Sequence, residues 1–434
     1  MRRITAFSGV SSVILIGALL PEVAMATEKE GCHPTRQNLP VCQSDAQADA
    51  ATFIDPTVTV VGGRHITLAE SIYVGPFAEL IANRKAPISI GAETNVQDNV
   101  LIQARPDDHG RSHEGPAGGE GHAADGVEIA ERVILAHGSS VIGPAQIGIE
   151  GTDIEPDPDD DQEVFLSFGS QVDGAVLEKN TGISALGRVG PGVRLRSGFI
   201  VLPGKDVTTQ QEADYPALGK VRLINEADVA FNEAVLEVNV AFAREYTELY
   251  REDPSAVLGV SVDPGGTDFN PDRNAPMFAG VERVDPDNDN RIIGGIDFAD
   301  RLRELSRAIG DRISLRADEG EDFVVGHVAE MGDEVIFHAL EETDLEVGDN
   351  VTYGDDVIVH GGGRVTVAGS PDEPTRVEDD VTLEDGSVVF RSTIGAGAVI
   401  GERSVVVGTD LPPNSVVAPG RIILNGVDSG AVEW

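Results

Sequence analysis

Apolar residues recur every six positions over most of this chain, and no other feature restricts its fold as strongly. In the first half they fall at Ile90, Val96 and Ile102, then at Ile129, Leu135, Val141 and Ile147. In the second half they fall at Val325, Met331 and Phe337; at Val347, Tyr353, Val359 and Val365; at Val377, Leu383 and Val389; and at Ile394, Ile400 and Val406. Small or turn-forming residues follow many of them ("IGAETNVQDN", "VGDNVTYGDD", "IGAGAVIGER"). A period of six is neither helical nor plainly alternating. It predicts short strands that each turn one aliphatic side chain inward, separated by tight corners. Three such strands close a triangular coil. Coils stacked ~4.8 Å apart make a prism with parallel ladders, in which each repeat buries its face only against its neighbours.

The repeats form two blocks, about 52–208 and 311–425. The first is followed by "EADVAFNEAVLEVNVAFAREYTELY", a run with helical spacing suited to packing along a prism. A linker rich in Pro, Asp and Asn comes next. Its "DPDNDN" lacks the closing Glu of an EF-hand loop and reads as a solvated turn. A short amphipathic helix, "DFADRLRELSRAIGD", leads into the second block. The expected organisation is a signal peptide over 1–26, an arm over 27–51, a first β-helix with its helix over 52–252, an acidic linker over 253–296 and a second β-helix over 297–434.

The signal peptide is read from Arg2 and Arg3, the apolar stretch behind them, and the small-residue site Ala24-Met25-Ala26. Export to a periplasmic or secreted location follows, and it favours a local disulfide between the two cysteines, Cys32 and Cys42. Carboxylates outnumber basic residues 74 to 32, for a formal charge of -42. Such a chain repels phosphates and excludes non-specific nucleic-acid binding. The charge reads as a surface adapted to high salt. The histidines His109, His113 and His122 lie in a Gly-rich excursion that reads as a solvated loop rather than a metal-collecting tract.

Register singles out two other histidines. His338 follows inward Phe337 and His360 follows inward Val359, so both face out of the prism. The spacing between them is three hexads plus a four-residue loop, one full coil. They therefore stack on the same face one rung apart, where two imidazoles can share a metal ion. Asp355 lies two residues past inward Tyr353, on a different face. It can reach the metal of an adjacent prism but not of its own. The spacing thus predicts a site shared across an interface.

At this point the residues resemble the gamma-class carbonic anhydrases, trimers of left-handed β-helices with a metal at each subunit interface. In the second block the resemblance runs through "LRADEG", "GDEVIFHALE", "VGDNVTYGDDVIVHGG" and "VGTDLPPNSVVAPG". It implies left-handed coils, metal ligands at His338 and His360, an interface pair at Arg316 and Asp318, proton-transfer glutamates at Glu319 and Glu341, and a further aspartate at Asp333. The family's cross-interface histidine falls at Asp355, and its glutamine at Gly332, both departures. The first block carries the "NVQD" signature at Asn95–Asp98 and keeps the cross-interface ligand as His137, but has Gln103 and Ile142 at the other two ligand positions and Arg84 for the first glutamate. The later segments "LPGKDVTTQQEADYPALG" and "FNEAVLEVNV" also follow the family, including Asn232.

Two assemblies stay open. The second block trimerises with itself, giving His338, His360 and a neighbour's Asp355; or the first block docks beside it, giving His338, His360 and His137. The resemblance implies hydration of carbon dioxide to bicarbonate with zinc, or iron or cobalt, as cofactor, in a homo-oligomer expected to be a trimer. A non-catalytic scaffold of the same fold and a hexapeptide-repeat acyltransferase are the rivals. The acidity argues against the second, which binds the phosphates of coenzyme A.

Overall fold

The computed structural model describes residues 53–55, 57–106, 125–151, 163–252, 290–305, 307–340, 343–362 and 373–434. The signal peptide, both cysteines, the three loop histidines, most of the linker and Glu341 lie outside them. Six sheets run through the described residues, three for each block, and within each block the strands of one sheet come from successive coils. All ladders are parallel except two antiparallel pairings, at the last strands of each block. The two blocks are left-handed parallel β-helices.

The six-residue period becomes a column of inward side chains in each sheet. In the first prism Val74, Val96, Leu135, Leu166, Ile183 and Val201 are in register and fully buried. In the second, Ile292, Leu315, Phe337, Val359, Val389 and Val406 form the matching column. Corners place residues in the left-handed region, among them Asn99 (φ 55°), Gly138 (φ 66°) and Asn350 (φ 59°). Asn and Gly adopt it at lower cost than branched residues. The second prism begins earlier than the sequence predicts. Strand Arg291–Ile293 lies inside the stretch expected to be linker and pairs with Ser314–Arg316; its apolar signal is only the pair Ile292-Ile293 behind an acidic flank.

One sheet of each prism faces the other. A third apolar cluster fills this seam, with Ile134, Phe165, Phe168 and Leu186 from the first prism against Ile336, Ile358, Val388, Val405 and Ile422 from the second. The long helix Glu226–Glu252 packs over strands Phe53–Ile54, Tyr73–Val74 and Asn95–Val96. Phe242 lies 5.4 Å from the ring of Tyr73, and Tyr246 stacks on Phe53 at 5.0 Å. At the far end the tail of the second prism crosses back: the Trp434 indole donates to the Leu186 carbonyl at 2.8 Å and Glu433 pairs with Lys205 at 3.0 Å. No helix among the described residues is long and apolar enough to cross a membrane.

Candidate metal centre

His338 and His360 are register partners on adjacent rungs, both outward and both buried. The same column holds Arg316 one rung before them and Phe390 one rung after. His137 arrives from the first prism. It sits at the corner just past strand Val133–Leu135, and its backbone N–H donates to the Gln97 side chain at 3.1 Å. The three imidazole centroids stand 5.1, 5.1 and 5.2 Å apart, a nearly equilateral triangle. Among the described residues they form a group in which one nitrogen from each ring lies within 4.8 Å of the others.

The nitrogens fit a shared ion. His137 Nε2 and His338 Nδ1 face each other at 3.1 Å. Two nitrogens bound to one tetrahedral ion at ~2.0–2.1 Å stand about 3.3 Å apart. The remaining nitrogen of each ring, His137 Nδ1 and His338 Nε2, is buried with no hydrogen-bond partner. Both are turned to carboxylates: His137 Nδ1 is 3.7 Å from Asp98, and His338 Nε2 is 3.6 Å from Asp318 and 3.5 Å from Glu319. His360 Nδ1 lies 3.2 Å from the Gly361 carbonyl. A carbonyl oxygen only accepts, so that nitrogen carries the ring proton and Nε2 keeps its lone pair. Protons on the outer nitrogens leave three lone pairs converging on one point, and a cation there relieves their repulsion. Acceptors behind a ligating imidazole fix its tautomer and orientation.

Burial pushes all three histidines below the usual imidazole range. The other two imidazoles add to this at His137, His338 adds to it at His360, and Arg316 adds to it at His338. Neutral imidazole is the form that binds a metal. Arg316, itself 1% exposed, holds the carboxylates of both prisms: Nη1 donates to Asp98 at 2.8 Å and Nη2 to Asp318 at 2.8 Å. Burial acts to raise Asp318, but Arg316 and His338 outweigh it and the group lies well below the carboxylate range. At Asp98 burial prevails over Arg316 and the shift is upward. On the opposite side the centre is walled by rings, with Phe168 at 4.7 Å and Phe390 at 5.4 Å from His360.

The structure thus brings together His137, His338, His360, Arg316, Asp318 and Glu319. Within the chain it does not bring in Asp355, and the third imidazole beside the pair is that of His137. Asp355 is exposed, on a corner away from the seam. Its Oδ1 accepts the Asp333 N–H at 2.8 Å, as Asp333 accepts the Asp311 N–H and Asp385 the Asp355 N–H. These aspartates form a ladder along one prism edge, so Asp333 too is separated from the centre. The prism abutting the histidine pair is the first block of the same chain, which enters with His137. Gly332, a departure from the family, is dictated by this ladder, since a Cβ there would lie 2.4 Å from Asp355 Oδ1. Sequence reasoning missed Phe168, Phe390 and Tyr246. Phe168 occupies the rung after His137, where its backbone neighbour Gly169 donates to the His137 carbonyl, so coil spacing could have found it. Nothing in the spacing links Tyr246 to Asp318.

No protein-family model matches the chain. It is 31% identical over 208 residues to a carbonic anhydrase of Methanosarcina thermophila, covering 46% of this chain and 74% of that protein. It is 25% identical over 281 residues to mitochondrial gamma carbonic anhydrase 2 of Arabidopsis thaliana, covering 62% and 89%. Among solved structures, a hexapeptide transferase family protein of Anaplasma phagocytophilum aligns over 45% of this chain and 93% of its own, at 17% identity and a TM-score of 0.30. With the first relative matched across about three quarters of its length, this chain belongs to the gamma carbonic anhydrase family.

Proposed function

We propose that the protein is an exported carbonic anhydrase that hydrates carbon dioxide to bicarbonate at one metal centre per chain, built between its own two prisms. The observation that carries this reading is the triangle of His137, His338 and His360, with ligand nitrogens within 4.8 Å of one another and drawn from both blocks. A divalent ion held there supplies Lewis acidity and brings the pKa of a water to about 7. Three imidazoles suit Zn²⁺, and iron or cobalt are the other ions this reading admits.

The chain's own residues divide the remaining work. Phe168 and Phe390 give the centre an apolar wall, which suits an uncharged substrate and excludes water. Glu319, 4% exposed and 3.5 Å from His338 Nε2, is the group to which this reading gives the surplus proton. Glu341 is the alternative carrier of that proton. Arg316, Asp318 and Asp98 hold the two prisms in register around the ligands. Export rests on the N-terminal pattern, with Thr27 expected as the first residue of the mature protein. The charge of -42 supports function in high salt.

The test is carbon dioxide hydration in high salt, with metal analysis, on the wild type, His338→Ala, His137→Ala and Asp355→Ala. About one metal per chain is expected in the wild type. Both histidine variants should lose metal and activity by more than ~100-fold, because even groups behind a ligand are typically worth 10–100-fold. Asp355→Ala should retain both. Unchanged metal content in His137→Ala would overturn the shared centre, and activity in a metal-free His338→Ala would overturn the reaction. Because the ligand set is complete within one chain, activity per chain should not change across the concentrations at which any homo-oligomer, including a trimer, dissociates.

A further inference from the structure

We infer that Tyr246 is a positioning residue for this centre: its hydroxyl, donated from the long helix across the seam to Asp318, fixes the carboxylate that orients His338. The inference rests on the proposed metal site. Tyr246 is 1% exposed and held by rings on several sides, with Phe53 at 5.0 Å, Tyr73 at 5.7 Å and Phe242 at 5.8 Å. Its hydroxyl donates to Asp318 Oδ2. Arg316 reaches the same oxygen through Nη2 at 2.8 Å, and both oxygens through Nε at 3.1 Å. Oδ2 therefore receives the tyrosine and the end of the guanidinium, while Oδ1 is turned to His338 Nε2 at 3.6 Å.

A carboxylate only accepts, and its terminal torsion is broad and roughly two-fold. Arg316 grips both oxygens through Nε and Nη2 while its Nη1 is committed to Asp98 of the first prism, so its hold on Asp318 is tied to the position of a residue in the other prism. The tyrosine supplies a second donor to Oδ2, from a separate element. Burial, and after it the charge of Asp318, push the phenol well above its ordinary range, so it remains a donor. The contacts run from Tyr246 by a hydrogen bond to Asp318, and from Asp318 Oδ1 by charge to His338 Nε2 3.6 Å away. They make the helix between the two prisms a third contributor to a site otherwise built at their seam. A bare packing role would need the ring but not the hydroxyl.

Tyr246→Phe in the full chain separates the two roles, since it keeps the ring and removes the donor. The probes are Zn²⁺ affinity by chelator competition and the visible spectrum of the Co²⁺-loaded chain. We expect a Kd raised by about tenfold, the lower end for a partner behind a ligand, and a shifted Co²⁺ band. Wild-type affinity and spectrum in Tyr246→Phe overturn the inference while leaving the metal centre in place. If that variant does not fold, 3-fluorotyrosine at position 246 keeps ring and hydroxyl and changes donor strength. A shifted Co²⁺ band then supports the inference and an unchanged one overturns it. A wild-type chain that takes up no metal overturns the inference and the centre together. Changed affinity in a chain without carbon dioxide hydration removes the reaction alone.

Discussion

His338 stands between two chemistries, with Nδ1 facing His137 and Nε2 facing the carboxylates of Asp318 and Glu319. Its neighbours His137 and His360 share its burial, and burial is the first reason all three lie below the ordinary imidazole range. The consequence for stability has a definite sign. Between the folded values and the unfolded value of about 6.5, the unfolded chain binds more protons than the folded one. Stability of the metal-free protein is therefore full above that range and lost as pH falls below ~6.5. Denaturant midpoints of the metal-free chain from pH 8 to pH 5 should fall, and a variant with glutamine at all three positions should give a flatter profile. A wild-type profile as flat as that of the variant would contradict the burial argument.

At the scale of elements, the corner aspartates show how a repeat imitates a ligand. Gly310, Gly332 and Gly354 each precede an aspartate, and a Cβ at any of them would meet the carboxylate of the next rung within 2.1–2.4 Å. The Gly-Asp pair is one device: the glycine leaves room for the carboxylate that caps the N–H beside it. Asp355→Ala should cost about 1 kcal/mol, the net worth of one such hydrogen bond, and leave metal content unchanged. Gly332→Ala should cost roughly 1–3 kcal/mol by overpacking. Placed in the Asp355→Ala background it should cost less, because part of the clash is gone. A double-mutant cycle in denaturant reads that coupling, and strict additivity would mean the two positions do not meet.

Across the whole molecule the seam changes character from one end to the other. It begins with ion pairs, Arg291 to Asp55 at 3.0 Å, Arg312 to Glu79 at 2.5 Å and Arg316 to Asp98 at 2.8 Å. It passes the histidines, becomes apolar, and is closed by Trp434 against Leu186. The ion pairs are not equivalent. Arg312 and Glu79 are about a third and a quarter exposed, whereas Arg316 and Asp98 are fully buried. Arg316→Met should therefore destabilise by about 3–5 kcal/mol, because two carboxylates are left buried without their cation. Arg312→Ala should cost less than ~1 kcal/mol. Equal costs for the two in chemical denaturation would show that burial does not govern this interface.

The six-residue period determined the prisms, because a coil this short tolerates one inward side chain per strand and no irregular spacing. It also placed His338 and His360 on one face, since stacking in a ladder is a local consequence of register. A further signal was present in the triplets "IFH", "IVH" and "VVF" at 336–338, 358–360 and 388–390. They are apolar on the outward side as well, as strands covered on both faces must be. What the chain order could not decide was which of six sheets would meet. Among the described residues the seam cluster joins one sheet of each prism, so His137 completes a site with residues about two hundred positions away. The ligand positions at Gln103 and Ile142 lie on another sheet of the first prism, and Asp355, with Gly332 at the glutamine position, borders another sheet of the second. The choice of docking face depends on the summed fit of side chains from separate coils, a property of assembled surfaces that no local periodicity encodes.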